Sequence, residues 1–250
     1  MAAMVTAIEG EGTPESRWRA WPGLAGLSTF ALDPLPARIV VVAPHPDDEV
    51  LGVGGTLALL SAAGVAVTVV AVSDGEASHP HSRTTNRCEL GLIRRAEQHL
   101  ALARLGLGRA EVHRCGLPDG KLAEHEPGLA DTLTGLLDEH SWCVSTWAHD
   151  GHPDHEAVGR AAAIAAARTG ALVLSYPVWT WHWARPGDPR VPWTTARQVP
   201  LPTAITNAKK HAVHAHASQI QPLSTRPGDE AILGPPALAR LTRDFEVILL

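Results

Sequence analysis

The sequence predicts an α/β fold, with a Rossmann-like, doubly wound and mostly parallel sheet that carries helices on both faces. Three observations support this prediction. Short β-branched and apolar runs alternate with longer amphipathic segments along most of the chain, which is typical of parallel sheets. Glycines or turn residues separate these segments. The 250 residues are 45% hydrophobic and 19% charged, an ordinary globular composition that suits one large domain.

The strands and helices are expected to alternate from about residue 38 onward. The predicted strands start at Ile39 and cover 65–73, 111–115, 142–147, 171–176 and 245–250. The predicted helices cover about 50–64, 86–105, 129–139, 154–168 and 204–217. Residues 1–37 have no sustained periodicity, and we interpret them as an N-terminal arm with a short helical piece near residues 16–20. Residues 38–250 then form a single domain with a Trp-rich insertion at about 177–202.

Charge and cysteine content exclude several classes of protein. A net charge of -5 argues against a nucleic-acid partner, which would require clustered Lys and Arg. Three widely spaced cysteines indicate neither a disulfide framework nor a thiolate zinc site, and favour the cytoplasm. Residues 1–8 lack the basic start of a signal peptide, and no apolar run is long enough to span a bilayer. The oligomeric state is left open.

The most informative segment is His45-Pro-Asp-Asp-Glu49, which follows the first predicted strand and precedes the first helix. This placement puts its side chains at the carboxyl edge of the sheet, where open α/β folds bind their ligands. His45 and Asp48 are three residues apart and can reach one cation. A catalytic zinc site uses three protein ligands and leaves a position for water, so a third ligand is expected from elsewhere.

That third ligand is predicted in the segment 149–155, which contains three histidines and follows another strand of the same sheet. We favour His155 because it lies at the start of a helix, where the helix dipole favours the neutral, ligating form of imidazole. Asp47 lies beside a ligand and suits a general base, although it is alternatively a hydrogen-bonding partner of the ligands or a turn residue. His152 suits a donor to an oxyanion or to a leaving amine. Asp154 either orients His152 or caps the helix.

The predicted insertion at 177–202 is rich in tryptophan, with Trp179, Trp181 and Trp183 at alternate positions. In an extended segment this spacing places three indoles on one face, which would suit one wall of a ligand pocket. We therefore expect Trp181 and Trp183 to contact a bulky or partly apolar substrate.

Six motifs follow one another along the chain: Ala43-Pro-His-Pro-Asp-Asp-Glu49, Gly54-Gly-Thr56, Ser73-Asp-Gly-Glu76, Arg94-x-x-Glu97, Leu117-Pro-Asp-Gly120 and His152-Pro-Asp-His155. In this order they resemble the motifs of the PIG-L/LmbE-like N-deacetylase family. The resemblance covers about residues 38–176, and extends to the segment 215–219. It implies a hydrolase that removes an N-acetyl or other N-acyl group from an amino sugar or a sugar-containing metabolite.

The resemblance also implies roles for individual residues. His45, Asp48 and His155 would bind Zn²⁺, with Fe²⁺ as an alternative, and Asp47 would be the base. His152 and Asp154 would assist the tetrahedral intermediate. In addition to Trp181 and Trp183, which are predicted from their spacing and not from the resemblance, the expected substrate contacts are Glu49, Asp74, Arg87, Arg94 and His216.

Other functions remain open from the sequence. Two histidines and one carboxylate also form the site of non-haem Fe(II) oxygenases, although the alternation of strands and helices is unlike the all-β barrels that usually carry it. The glycines at 52–55 resemble a nucleotide- or S-adenosylmethionine-binding loop, but they fall inside the predicted helix, where close packing explains them. An amide hydrolase acting on a non-sugar natural product or a thiol conjugate is a further alternative.

Overall fold

The structure is a computed structural model that describes residues 10–250. The prediction about a signal peptide concerns residues 1–8 and lies outside this range. The strands are β1 (Arg38–Ala43), β2 (Ala66–Ala71), β3 (Glu111–Arg114), β4 (Ser141–Thr146), β5 (Leu172–Tyr176), β6 (Ala196–Pro200) and β7 (Phe245–Leu249). The first helices are α1 (Glu15–Arg19), α2 (Pro22–Ala25), α3 (Asp48–Ala62), α4 (Arg87–Arg104) and α5 (Glu126–Leu136). They are followed by α6 (Pro153–Thr169), α7 (Thr180–Trp183), α8 (Thr203–Val213), α9 (Ala217–Ile220) and α10 (Pro235–Leu241).

The seven strands form one sheet in the order β3-β2-β1-β4-β5-β7-β6. The sheet is mostly parallel, as the sequence predicts. Strands β1 to β5 are parallel, whereas β7 runs antiparallel to both β5 and β6. β1 lies between β2 and β4, with Val41 opposite Val69 on one side and Val144 on the other. The loops that follow β1 to β5 therefore meet at one edge of the sheet.

Local signals explain where the principal helices begin and end. The Asn86 side chain accepts a hydrogen bond from the Glu89 N–H in a capping box that starts α4. Pro153 occupies the first turn of α6, and Gly170 ends this helix in the left-handed conformation at φ 79°. The predicted boundaries of these two helices are accurate to within one residue at all four ends.

Buried apolar side chains fill both faces of the sheet. On one face, Ile39, Val41 and Val69 pack with α3. On the other, Val40, Val42 and Val70 pack with α5 and α6. Successive residues of β1 thus belong to opposite cores, which is why this strand is apolar at every position from Ile39 to Ala43 instead of alternating.

The arm and the Trp-rich segment pack against each other. Trp18 is fully buried, and its Nε1 donates to the Trp181 carbonyl at 3.0 Å. Its ring centroid lies 5.1 Å from that of Trp181 and 5.7 Å from that of Trp193. The Arg243 guanidinium lies over the Trp181 ring and pairs with Glu15 of α1 at 2.6 Å. These contacts anchor the described part of the arm to the body.

Among the described residues, no helix has both the length and the hydropathy needed to cross a bilayer.

Candidate metal centre and active site

The first motif forms the connection between β1 and α3. His45 and Asp47 lie in this turn, and Asp48 is the first residue of α3. The three side chains are buried, although the turn lies at the edge of the sheet. Polar side chains that are buried together at a strand end must be paired with one another or with a ligand.

His155 joins this cluster from the neighbouring strand connection, because α6 follows β4 and β4 lies next to β1. The Oδ2 atom of Asp48 lies 3.2 Å from Nδ1 of His45 and 3.2 Å from Nε2 of His155. The possible ligand atoms of the three residues all lie within 4.8 Å of one another. The structure thus brings together the three residues that the sequence singles out as metal ligands.

The residues present fit a cation. The buried Nε2 atom of His155 makes no hydrogen bond of good geometry among residues 10–250, which is costly unless a ligand occupies its lone pair. Zinc bonds to nitrogen and oxygen of about 2.0–2.1 Å in a tetrahedron place neighbouring ligand atoms about 3.3 Å apart. The 3.2 Å separations at Asp48 are close to this edge length. The donor set is the two-imidazole, one-carboxylate type that leaves a position open.

A carboxylate holds the second nitrogen of each histidine. Asp150 Oδ2 lies 2.8 Å from Nδ1 of His155, and Asp119 Oδ1 lies 3.1 Å from Nε2 of His45. Both arrangements fix the ring and direct the other nitrogen toward Asp48. Burial acts to lower the pKa of His155, but Asp48 and Asp150 outweigh it and raise this pKa to about 9. A bound cation would take the place of that proton on Nε2.

Asp150 is itself fixed by the chain that follows β5. It is completely buried and accepts hydrogen bonds of 2.9–3.0 Å from the N–H groups of Val178, Trp179 and Thr180. The Thr180 hydroxyl donates to it at 2.6 Å. Neither Asp119 nor Asp150 was predicted as a site residue. The available signal was that each follows a strand of the parallel sheet and so lies at the same edge.

Asp47 is paired with a buried arginine. Its Oδ1 lies 3.1 Å from Nη2 of Arg94, a buried residue of α4. Burial raises the pKa of the Asp47 carboxyl, and the charge of Arg94 opposes this rise. Asp47 also lines the cavity above the cluster. A carboxylate in this position can accept a proton from a molecule held in the cavity.

His152 caps α6, and the prediction that Asp154 does so is wrong. The Asp154 N–H donates to Nδ1 of His152 at 3.2 Å, so the neutral His152 ring carries its proton on Nε2. Pro153 takes the first helical position, which it favours, and this places the cap two residues earlier than predicted. Burial lowers the pKa of His152 to about 3. The ring lines the cavity as a hydrogen-bond donor.

An Asp154 carboxylate oxygen lies within 4.8 Å of a His152 ring nitrogen, but its hydrogen bonds go to other groups. It accepts hydrogen bonds from the N–H groups of Gly120 at 2.7 Å and Leu122 at 3.1 Å. Its Oδ2 also lies 3.4 Å from Nε2 of His45. Asp154 therefore joins the loop after β3 to the metal-binding cluster. Its carboxylate does not hold the His152 ring.

A cavity of about 550 Å³ opens above the cluster. Its floor contains His45, Asp47, Asp48 and His152. Its polar wall includes Ser78, Arg94, Asp119 and Gln219, and its apolar wall includes Leu51, Val178, Trp179, Ile232 and Leu233. The space is large enough for a small sugar conjugate, and the mixture of walls suits a ligand with both hydroxyl groups and apolar surface.

Only Arg94 among the predicted substrate contacts lines this cavity. The others lie outside its wall: they are Glu49, Asp74, Arg87, Trp181, Trp183 and His216. Glu49 is fully buried and accepts from Gln98 at 2.9 Å, and burial raises its pKa to about 8. Asp74 pairs with Arg95, and Arg87 pairs with Glu76. His216 is buried, and neither ring nitrogen has a hydrogen-bond partner among the described residues.

The expectation of an extended Trp-x-Trp-x-Trp wall is also wrong. Residues 180–183 form the helical turn α7, because the Asp150 carboxylate gathers three successive N–H groups at its start. Trp181 is directed into the core beneath the arm. The Trp183 Nε1 donates to the Asp150 carbonyl at 2.7 Å. Trp179, which was not among the predicted contacts, is the tryptophan of this segment that lines the cavity.

Comparison with known proteins is consistent with this site. Residues 40–166, just over half of the chain, match the family model described as PIG-L: GlcNAc-PI de-N-acetylase. The chain is 32% identical over 137 residues to a probable N-acetyl-alpha-D-glucosaminyl L-malate deacetylase 2 of Bacillus cereus, covering 52% of this chain and 61% of that protein. It is 29% identical over 126 residues to the diacetylchitobiose deacetylase of Thermococcus kodakarensis, covering 49% and 46% respectively.

The chain thus spans roughly half of the length of the curated relatives it matches. Among solved structures, a conserved protein of Thermus thermophilus superimposes with a TM-score of 0.61 at 27% identity, over 86% of this chain and 94% of that one. The matched region contains both predicted histidine motifs and the strands that position them. This chain therefore belongs to the PIG-L family of de-N-acetylases.

Proposed function

We propose that the protein is a zinc-dependent hydrolase that removes an N-acetyl group from an amino sugar or a sugar-containing metabolite. The observation that carries this proposal is the buried cluster of His45, Asp48 and His155, of which His45 and Asp48 line the cavity together with Asp47 and His152. The relatives named above are N-acetylglucosaminyl malate and diacetylchitobiose deacetylases, which supports a small N-acetylated sugar as substrate. The three cysteines are free, as suits a cytoplasmic enzyme.

The proposed roles follow from the positions of the side chains. A Zn²⁺ or Fe²⁺ ion held by His45, Asp48 and His155 would supply an activated water and polarise the amide carbonyl. Asp47 takes the proton of the attacking water as the oxygen adds to the amide carbon. His152 donates its Nε2–H to the oxygen that gains negative charge. The C–N bond then breaks, the amine leaves with the proton from Asp47, and acetate remains.

Arg94 and Asp119 support these groups. Arg94 holds the Asp47 carboxylate at 3.1 Å and also donates to the Gly75 carbonyl at 2.9 Å. Asp119 holds His45 and also accepts from the Ala77 N–H at 2.7 Å. The loop after β2 is therefore attached to the base and to a ligand. These contacts would keep the reacting groups in one arrangement before substrate binds.

The test is amine and acetate release from N-acetylated glucosaminyl conjugates, including the malate, inositol and chitobiose types. The protein is purified without chelators and assayed in the absence of O₂ and of any 2-oxoacid. We expect equal amounts of amine and acetate, loss of activity with EDTA, and recovery on adding Zn²⁺ or Fe²⁺. A requirement for O₂ and a 2-oxoacid would instead identify an oxygenase, and the proposal would be wrong.

A further inference from the structure

Helix α3, which carries Asp48, is broken in the middle. Val53 has φ -138° and ψ 15°, outside the helical region, so the segment consists of a first piece at 48–52 and a second at 54–62. The first piece holds a proposed metal ligand and directly follows the proposed base. A break between two helical pieces leaves the carbonyl groups of the first and the N–H groups of the second without helical partners.

A buried ion pair from two distant elements meets these backbone groups. Lys209 of α8 donates from Nζ to the Leu51 carbonyl at 2.8 Å, at the end of the first piece. Glu246 of β7 accepts from the N–H groups of Gly55 and Thr56 at 2.7 Å each, at the start of the second piece. The Thr56 hydroxyl also donates to Glu246 at 2.6 Å. Lys209 and Glu246 are 2.6 Å apart.

This pair is enclosed by the protein. The side chains of Lys209 and Glu246 are 2% and 1% exposed. Charges at this depth are tolerated only when each is paired and hydrogen-bonded, so the two side chains have little freedom to move. We refer to Lys209 and Glu246 together as the α3 clamp.

The glycines at the break allow the surrounding elements to approach it. A Cβ atom at Gly52 would overlap the ring of Tyr176. One at Gly55 would lie 2.5 Å from the Leu201 side chain and 3.2 Å from Glu246. The glycines at 52–55, which resemble a nucleotide-binding loop in the sequence, therefore allow Tyr176 and Leu201 to pack against α3 and the Glu246 carboxylate to reach its backbone.

A short path of backbone bonds leads from the clamp to the metal-binding turn. The Leu51 carbonyl is held by Lys209, and the Leu51 N–H donates to the Asp47 carbonyl at 2.9 Å. The Val50 N–H donates to the same carbonyl at 3.0 Å. The Asp47 carbonyl belongs to the peptide unit that leads directly into Asp48. Displacement of Leu51 would therefore displace both the base and a ligand.

We infer that Lys209 and Glu246 are positioning residues that hold the two pieces of α3 in register and so fix Asp47 and Asp48 against His155. The inference rests on the proposed function, because it concerns the same metal ligand and base. Lys209 and Glu246 thus have a role in the metal-binding site, although neither residue lines the cavity above the metal-binding cluster.

The test replaces the pair by the neutral combination Lys209→Met/Glu246→Gln, which leaves no unpaired buried charge. The control is Leu133→Ala, which removes packing on the opposite face of the sheet and leaves the contacts between α3 and the clamp in place. Three quantities are measured: the Zn²⁺ Kd by chelator competition, the visible absorption of the Co²⁺-loaded protein, and hydrogen exchange at the Val50 and Leu51 amides without metal.

For the clamp variant we expect a Zn²⁺ Kd weaker by about tenfold or more, altered Co²⁺ bands, and exchange about tenfold faster at Val50 and Leu51. The Leu133→Ala control keeps the Kd, the Co²⁺ bands and this exchange rate, although its Tm falls. If the clamp variant does not fold, Thr56→Val removes one hydrogen bond to Glu246 and should accelerate exchange at these amides about threefold.

The inference would be overturned by a folded clamp variant whose Zn²⁺ Kd, Co²⁺ bands and amide exchange rates equal those of the wild-type protein. It would also be overturned if Leu133→Ala changed these three quantities as much as the clamp variant does. None of the three measurements requires substrate, so they test the role of the clamp even if the protein deacetylates none of the substrates assayed. If the wild-type protein binds no metal, the proposed function fails, whereas hydrogen exchange still decides whether the clamp orders the first turn.

Discussion

The Asp47 carboxylate lies 3.1 Å from the guanidinium of Arg94, and both side chains are almost completely buried. Arg94 comes from α4, so this contact fixes the proposed base by a helix outside its own loop. We expect Arg94→Leu to lower kcat by about 100-fold, because the base loses its orientation. Arg94→Lys should recover part of this loss, since the charge remains but the second contact to Gly75 is weakened.

The matched control for Arg94 is its neighbour Arg95, which is exposed and pairs with Asp74 outside the cavity wall. Steady-state kinetics should show little change in Arg95→Leu, and metal content should be unchanged in both variants. If Arg94→Leu retained the kcat of the wild-type enzyme, Arg94 would have no part in positioning Asp47.

Asp47→Asn separates catalysis from metal binding. The amide keeps the size of the carboxylate but cannot accept the proton of the attacking water, so kcat should fall by about 100- to 10,000-fold. Metal analysis should show the same metal content as in the wild-type protein, because Asp47 is not one of the three ligands. A fully active Asp47→Asn enzyme would refute its assignment as the base.

Asp150 is predicted to control the metal through His155. In Asp150→Asn the new NH₂ group cannot accept the three backbone N–H bonds and the His155 contact together, so the ring loses its fixed orientation. We expect metal affinity to fall by about 10- to 100-fold in chelator competition. Glu156→Gln, next to His155 in the first turn of α6, serves as the control, and an equal loss there would indicate a general disturbance of the helix.

The two tryptophans near the site should behave differently. Trp179 lines the cavity. Trp179→Ala should therefore change KM and the ranking of substrates, with only a small change in the free energy of unfolding. Trp181 packs beneath the arm against Trp18, so Trp181→Ala should lower the free energy of unfolding by about 3–5 kcal/mol with little change in ranking. Thermal unfolding and competition between substrates measure the two effects, and the reverse pattern would contradict this assignment.

Much of this arrangement could be predicted because strand ends are strongly marked in the sequence. The apolar run before His45 and the run before His149 both indicate buried parallel strands, whose carboxyl ends share one edge. Because the two strand ends share this edge, the sequence predicts that His45, Asp48 and His155 lie close together. The same argument extends to Asp119 and Asp150, but single aspartates in loops are common and carry no spacing that marks them as ligand partners.

The conformation of the Trp-rich segment and strand β6 could not be predicted from local patterns. The shape of residues 178–183 depends on a carboxylate about 30 residues earlier, since Asp150 gathers the N–H groups that start α7. Strand β6 was not predicted, because its short segment lies between prolines and depends on pairing with β7. Likewise, the pairing of Arg94 with Asp47 joins residues that are far apart in sequence.

The central claim is that His45, Asp48 and His155 bind one metal ion, and metal stoichiometry tests it most directly. The wild-type protein and the variants His45→Ala, Asp48→Ala, His155→Ala and His149→Ala are loaded with Zn²⁺, desalted and analysed for bound metal. His149 is exposed and lies in the same loop as Asp150, outside the cluster. We expect one equivalent in the wild-type protein and in His149→Ala, and almost none in the other three. One retained equivalent in any folded variant of the three ligands, or none in the wild-type protein, would contradict the account.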